Sequence, residues 1–141
     1  MVRGIEYHYS ITIDPADIDA MGHVNNASYL RWVQAAVVSH WEHLAPADAV
    51  AAHRWVAVRH EITYRKPAFL GDDLRAHVVL ERVKRESAFY ETIIRRGGET
   101  LTEVRSRWCC LDAETLKPAR LPDSTIACFF EDQSMALSEP A

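Results

Sequence analysis

The sequence has little of what marks membrane, disulfide-rich or nucleic-acid-binding proteins. No apolar run approaches the roughly 20 residues that cross a bilayer, and the opening MVRGIEYHYSITI lacks the apolar core of a signal peptide. Only three cysteines occur and none lies in a Cys-x-x-Cys pair, which argues against a disulfide framework or a cysteine metal site. The net charge of -4 argues against nucleic acid or an anionic membrane as the main partner. These absences predict a cytoplasmic protein that binds neither nucleic acid nor membrane.

The composition that remains is that of one globular domain. The 141 residues are 48% apolar and 26% charged, which allows a sizeable buried core. We predict a single domain over residues 1–131. The final residues, EDQSMALSEPA, are typical of a frayed end, and we assign 132–141 to a C-terminal tail.

Apolar periodicity predicts one strand, one long helix and then four strands. Strict alternation from Ile5 to Ile13 predicts the first strand, which Pro15 ends. Three- and four-residue spacing from Tyr29 to Leu44 predicts a helix of about five turns, with so narrow a polar stripe that the helix should be mostly enclosed. The four later strands are predicted at about 56–65, 74–84, 88–96 and 101–111.

The connections between the later strands indicate the fold class. The turns LGDD (70–73) and RGGE (96–99) are of hairpin length, which favours antiparallel pairing of the last four strands. A single enclosed helix must then be wrapped by that sheet. The predicted class is α+β.

The stretch DIDAMGHVNNASYLRW, residues 17–32, places many polar side chains directly before the helix. A calcium loop that starts at Asp17 would need an oxygen ligand at its fifth position and a glutamate at its twelfth, where Met21 and Ser28 stand. No recognisable histidine or cysteine pair completes a zinc site. We therefore predict no metal site and no cofactor.

Helix capping explains part of the stretch. Asn25 can accept a hydrogen bond from an amide two or three positions on, and Gly22 permits a tight bend. On their own, these two residues are structural more often than not. One cap needs one side-chain oxygen, so Asp17, Asp19 and His23 remain unexplained.

An active site at the helix N-terminus explains more of the polarity. If the helix begins near Asn26, the unpaired amides of Asn26 and Ala27 can stabilise an oxyanion that forms beside Asp19. An aspartate there can take a proton from water or attack a carbonyl directly. Histidine changes its charge near neutral pH, so His23 could share or relay that proton.

The pattern D-x-D-x-x-G-H-V-N-N-x-x-Y-L-x-W over 17–32 resembles the signature of the hot-dog-fold acyl-CoA thioesterases of the 4-hydroxybenzoyl-CoA thioesterase-like superfamily. ITYRKPAFLGDDL, residues 62–74, resembles the segment before that family's third strand. The resemblance covers about residues 5–112. It implies a hot-dog fold, in which an antiparallel sheet of about five strands wraps around one long central helix. It also implies hydrolysis of an acyl-CoA thioester to free acid and coenzyme A.

The resemblance assigns roles to individual residues. It implies Asp19 as the catalytic carboxylate, either base or nucleophile, and Asn26 as the donor of the oxyanion-binding amide. His23 matches a histidine that plant acyl-carrier-protein thioesterases use, but Met21 replaces the asparagine of that mechanism. For Asp17 the implied role is structural.

A basic segment, RVKRE at 82–86, falls where the family clamps the phosphates of coenzyme A. Lys84 and Arg85 are therefore the candidate substrate-binding residues, with Arg82 as a further one. The competing interpretation is that charged residues at a hairpin turn are only solvated surface.

The family also implies a homodimer or homotetramer, with sheets joined edge to edge and the active site at the subunit interface. A wrapped sheet with long uncovered edges favours the same arrangement. Two other functions stay open. One is a hot-dog enoyl-CoA hydratase, although those enzymes typically place aspartate and histidine five residues apart rather than four. The other is a non-catalytic acyl-CoA-binding protein. Aryl, short and long acyl groups, and a carrier protein in place of coenzyme A, also stay open.

Overall fold

A computed structural model of the chain describes residues 2–132, which form a five-stranded sheet, a two-stranded sheet and three α-helices. The elements in chain order are β1 (Val2–Gly4), β2 (Tyr7–Ile11), a 3-10 turn (Pro15–Asp17), α1 (Asn26–Leu44), α2 (Ala47–Ala52), β3 (His53–Tyr64), β4 (Leu74–Lys84), β5 (Ser87–Arg96), β6 (Glu99–Asp112), α3 (Asp123–Ala127) and β7 (Phe130–Asp132).

The larger sheet has the order β2-β4-β5-β6-β3, and every neighbouring pair is antiparallel. Alternate residues of the three inner strands β4, β5 and β6 are buried in the core, as the period of two in a strand requires. This arrangement confirms the predicted α+β class, with about five antiparallel strands around one long helix. It leaves β2 and β3 as the two edges of the sheet.

Helix α1 packs against the inside of the sheet through one face, on which buried residues recur every three or four positions. Its buried residues are Ser28, Tyr29, Trp32, Val33, Ala36, Val37, His40 and Trp41. The helix begins where the Asn25 side chain accepts a hydrogen bond from the Ala27 N–H at 2.9 Å, and it ends at Leu44, two residues before Pro46. The predicted long helix is confirmed, but the prediction that it is mostly enclosed is wrong for the single chain, since Arg31, Gln34, Val38 and Glu42 on its opposite face are exposed.

Two details of the predicted strands are wrong. The first strand spans Tyr7–Ile11 and stops there because its partner β4 begins at Leu74, opposite Ile11. The LGDD turn does not close a hairpin, since β3 pairs with β6 on the far side of the sheet from β4. The chain crosses from one side to the other through residues 65–73.

The two-stranded sheet of β1 and β7 was not predicted, because three-residue strands carry too little periodicity. It lies against β4 so closely that a Cβ on Gly4 would stand 2.4 Å from the Leu80 carbonyl oxygen. Just after it, the Ile5 N–H donates to the Phe129 carbonyl at 2.9 Å. Asp132, the first residue of the predicted tail, belongs to β7, and the rest of that tail lies outside the described residues.

Two further observations concern membrane-spanning helices and cysteines. Among the described residues, no helix is long and apolar enough to cross a membrane. The three cysteines, Cys109, Cys110 and Cys128, are all free thiols.

Candidate active site

Asp17 anchors the polar stretch to the helix that follows it. Its buried carboxylate accepts hydrogen bonds from the Ser28 hydroxyl at 2.9 Å, from the Arg31 guanidinium and from the Asp14 N–H at 2.9 Å. Its backbone carbonyl accepts the Asn25 N–H at 2.7 Å. Burial acts to raise the pKa of Asp17, but the Arg31, Asp14 and Ser28 hydrogen bonds outweigh it and hold that pKa below its ordinary value. Asp17 therefore fixes the position of the loop.

Asp19 lies in a tight loop that closes on itself. The Asp19 N–H donates to the His23 carbonyl at 2.8 Å, and the Gly22 N–H donates to the Asp19 carbonyl at 3.0 Å. Oδ1 of Asp19 accepts the backbone N–H groups of Met21 at 2.9 Å and His23 at 3.3 Å. Within residues 2–132, Oδ2 of Asp19 accepts no hydrogen bond. One oxygen therefore orients the carboxylate and the other is free for chemistry.

The start of α1 supplies one of the two amides that the sequence predicted. The Ala27 N–H is taken by the Asn25 cap, so the prediction that it would also bind an oxyanion is wrong. The Asn26 N–H has no acceptor in the part of the chain that the structure describes, and the Asn26 carbonyl accepts the Tyr64 hydroxyl at 3.2 Å. Asn26 is thus the donor that the helix end leaves available.

Asp19, His23 and Asn26 line one open pocket of about 410 Å³. The other residues that line it are Met21, Val24, Asn25, Tyr29, Tyr64, Arg65, Lys66 and Pro67. The structure therefore brings together the three residues that the sequence placed at the catalytic centre. The pocket also includes Tyr64 at the end of β3, which the sequence analysis did not place there.

His23 occupies this pocket without touching the Asp19 carboxylate through its ring. The imidazole packs edge-on against Phe69, with ring centroids 5.3 Å apart. Neither ring nitrogen has a hydrogen-bond partner among residues 2–132. The two residues are linked through backbone atoms of the loop, so a proton relay would need a bound water or substrate between them.

The residues that sequence reasoning missed are Arg65 and Lys66, which follow β3 beside the pocket. Each is paired with a carboxylate of β6: Arg65 donates to Glu103, and Lys66 lies 2.6 Å from Glu99. Both cations remain more than half exposed. The signal for them was present in ITYRKPAFLGDDL, where the resemblance was seen but no residue was singled out.

Lys84 and Arg85 lie far from this pocket in the same chain. They border a separate groove of about 540 Å³ at the β4–β5 turn. Across the sheet, Ser87 at that turn pairs with Cys109 of β6, and Cys109 pairs with Val56 of β3. The pocket lies instead at Tyr64, the last residue of β3. Eight residues of strand separate these two positions on β3, about 26 Å at the usual rise. The structure does not bring the predicted phosphate clamp to Asp19 within one subunit.

Comparisons with known proteins show which family the chain belongs to. A family model described as the thioesterase-like superfamily matches residues 13–129. Over 111 residues the chain is 30% identical to the long-chain acyl-CoA thioesterase FadM of Escherichia coli, an alignment that covers 74% of this chain and 82% of the relative.

Solved structures show the same fold. A predicted thioesterase from Bacillus stearothermophilus superimposes with a TM-score of 0.78 at 22% identity, covering 89% of this chain and 94% of the other. A thioesterase from Thermus thermophilus, solved with coenzyme A and zinc, superimposes with a TM-score of 0.74 at 24% identity, covering 86% and 95%. The resemblance predicted from residues 17–32 and 62–74 is confirmed, and the chain belongs to the thioesterase-like superfamily of hot-dog-fold enzymes.

Proposed function

We propose that this chain hydrolyses the thioester bond of an acyl-CoA, with Asp19 as the catalytic carboxylate and the Asn26 N–H as an oxyanion donor. One observation carries the proposal. A carboxylate held by two backbone N–H groups, with its second oxygen free, shares a pocket with the unpaired amide at the start of α1. The family relationship supports thioester hydrolysis as the reaction that this pair performs.

The reaction uses these groups in two roles. The thioester carbonyl oxygen accepts the Asn26 N–H, which stabilises the negative charge that develops there as the carbonyl becomes tetrahedral. Asp19 either takes a proton from the attacking water or attacks the carbonyl carbon itself. The carbon–sulfur bond then breaks, and the thiolate of coenzyme A leaves and takes up a proton. The direct attack gives an Asp19 anhydride that a water molecule must hydrolyse.

We infer that the site is completed across a two-fold dimer formed by β3. This strand is an uncovered edge, and Val56 and Val58 on it are about half exposed. Two copies of an edge strand related by a two-fold axis pair antiparallel, so the His53 end of one copy faces the Tyr64 end of the other. The Lys84–Arg85 turn aligns with the His53 end.

Lys84 and Arg85 would then reach the pocket of the other subunit, where they can meet the phosphates of coenzyme A. Arg65 and Lys66 of the pocket's own subunit are the competing candidates for those phosphates. The free thiols support the predicted cytoplasmic location, and the acidic net charge supports the prediction of no nucleic-acid partner.

Thiol release from a panel of acyl-CoAs tests the function. Short, medium, long and aromatic acyl-CoAs are compared, because the acyl group is open and FadM is named for long chains. Asp19→Asn keeps the oxygen that Met21 and His23 bind and removes the charge, so turnover should fall about 10²- to 10⁴-fold. The matched control is Asp73→Asn, another exposed aspartate, which should keep wild-type turnover.

The other outcomes separate the alternatives. Unchanged turnover in a folded Asp19→Asn protein would contradict the assigned role. Formation of a 3-hydroxyacyl-CoA from an enoyl-CoA would identify a hydratase. Tight acyl-CoA binding with no thiol released by the wild type would identify a binding protein.

A further inference from the structure

Three side chains that could ligate a metal converge on the outer face of the sheet, away from the proposed active site. They are Glu6, His8 and His77, and one nitrogen or oxygen of each lies within 4.8 Å of the others. His8 and His77 are direct cross-strand partners of β2 and β4, with ring centroids 4.2 Å apart. Cross-strand partners on the same face bring their side chains close together.

The Glu6 carboxylate already bridges the two imidazoles. Its Oε1 lies 2.9 Å from Nε2 of His8 and 2.7 Å from Nδ1 of His77. A tetrahedral zinc site with metal–ligand bonds of about 2.0–2.1 Å places its ligand atoms about 3.3 Å apart. The Glu6 oxygen therefore lies only a few tenths of an ångström too close to each histidine nitrogen for such a site.

The backbone on both sides of Glu6 is fixed, which keeps the carboxylate in place. Gly4 packs against the Leu80 carbonyl, and the Ile5 N–H donates to the Phe129 carbonyl. Tyr7 then pairs with Val78 in the sheet. A site whose ligands are held before the ion binds loses less conformational freedom on binding.

We propose that Glu6, His8 and His77 bind one divalent transition-metal ion of the zinc class. Two imidazoles and one carboxylate are a donor set that such ions accept, with the remaining coordination position open to solvent. The ion would join the edge strand β2 to β4. The sequence-based prediction of no metal site rested on the stretch that begins at Asp17. It did not include this cluster, because 69 positions separate His8 from His77 in the sequence.

Titration of the untagged protein with Zn²⁺, followed by calorimetry, tests this site directly. The wild type should bind one ion per chain and unfold at a higher temperature with Zn²⁺ than with a chelator. His8→Gln and His77→Gln should each weaken binding at least about tenfold. These side chains are at the surface or partly so, and unfolding in the chelator checks that both variants fold.

Two control variants exclude other sites. His43→Gln removes an exposed histidine outside the cluster, and Asp19→Asn alters the proposed active site, so both should bind Zn²⁺ as the wild type does. The proposal is overturned if the wild type binds no ion, if the His8 and His77 variants bind it unchanged, or if Asp19→Asn abolishes binding.

Discussion

The Asp17 carboxylate accepts a hydrogen bond from the Ser28 hydroxyl at 2.9 Å, so a buried contact ties the loop before α1 to the helix's first turn. Asp17→Asn puts an amide group where only acceptors fit, and we expect the free energy of unfolding to fall by about 2–3 kcal/mol. Arg31→Gln removes a mostly exposed partner of the same carboxylate and should lower it by about 1 kcal/mol or less. Urea denaturation measures both, and equal effects would contradict a central role for Asp17.

The helix cap offers a probe of where the oxyanion forms. Asn25→Asp keeps the oxygen that accepts the Ala27 N–H and adds a negative charge beside the Asn26 amide. The cap should keep its stability, whereas kcat should fall at least about tenfold because that charge repels the developing oxyanion. Asn25→Ala is the companion variant: it should lower the free energy of unfolding by about 1 kcal/mol. A wild-type kcat in Asn25→Asp would place the oxyanion elsewhere.

Mixing two inactive proteins tests whether the phosphate clamp is shared between subunits. One protein carries Asp19→Asn, and the other carries Lys84→Glu with Arg85→Glu. If the clamp comes from the partner, one of the two sites in a mixed dimer has both an intact Asp19 and an intact clamp. Random exchange should then restore about a quarter of the wild-type activity. No recovery, in mixtures that sedimentation shows to have exchanged, would place the clamp in the same subunit.

His40 predicts a loss of stability in mild acid. It is fully buried against Tyr7, Tyr90 and Phe129, and burial lowers its pKa to about 4. Because the unfolded chain takes up this proton more readily, the free energy of unfolding should fall as pH drops from about 6.5 towards 4, by about 3 kcal/mol in all. Above that range the contribution is fully present.

His40→Leu should flatten this part of the stability profile, measured by urea denaturation at each pH. Some slope should remain, because burial also lowers the pKa of His60. His43→Gln changes an exposed histidine in the last turn of the same helix and is the control. An unchanged profile in His40→Leu would show that His40 is not the group responsible.

The sequence predicted the parts of the fold that local periodicity records. The helix from Asn26 and the strand from Leu74 to Lys84 were found because their apolar residues repeat over many positions. The partner of β3 was not found, since a linear pattern does not report which strand lies beside which. For the same reason β1 and β7 were missed, each being three residues long.

The candidate site divides along the same line. Asp19, His23 and Asn26 lie within eight positions, so their proximity was local and could be predicted. Arg65 and Lys66 reach the pocket only through the pairing of β3 with β6, a long-range contact. From the sequence, the Ala27 N–H could donate either to the Asn25 side chain or to a substrate oxyanion. In the structure it donates to Asn25.

The pairing of β1 with β7 joins Val2 to Asp132, at opposite ends of the described chain. Closing so long a loop has the largest entropic penalty of any contact in the fold, and only six residues share its hydrogen bonds. We therefore expect this pair of strands to form last during folding and to open first in hydrogen exchange. The amides of β1 and β7 should exchange before those of β4 and β5. The two ends of the described segment would then pair only after the five-stranded sheet has formed.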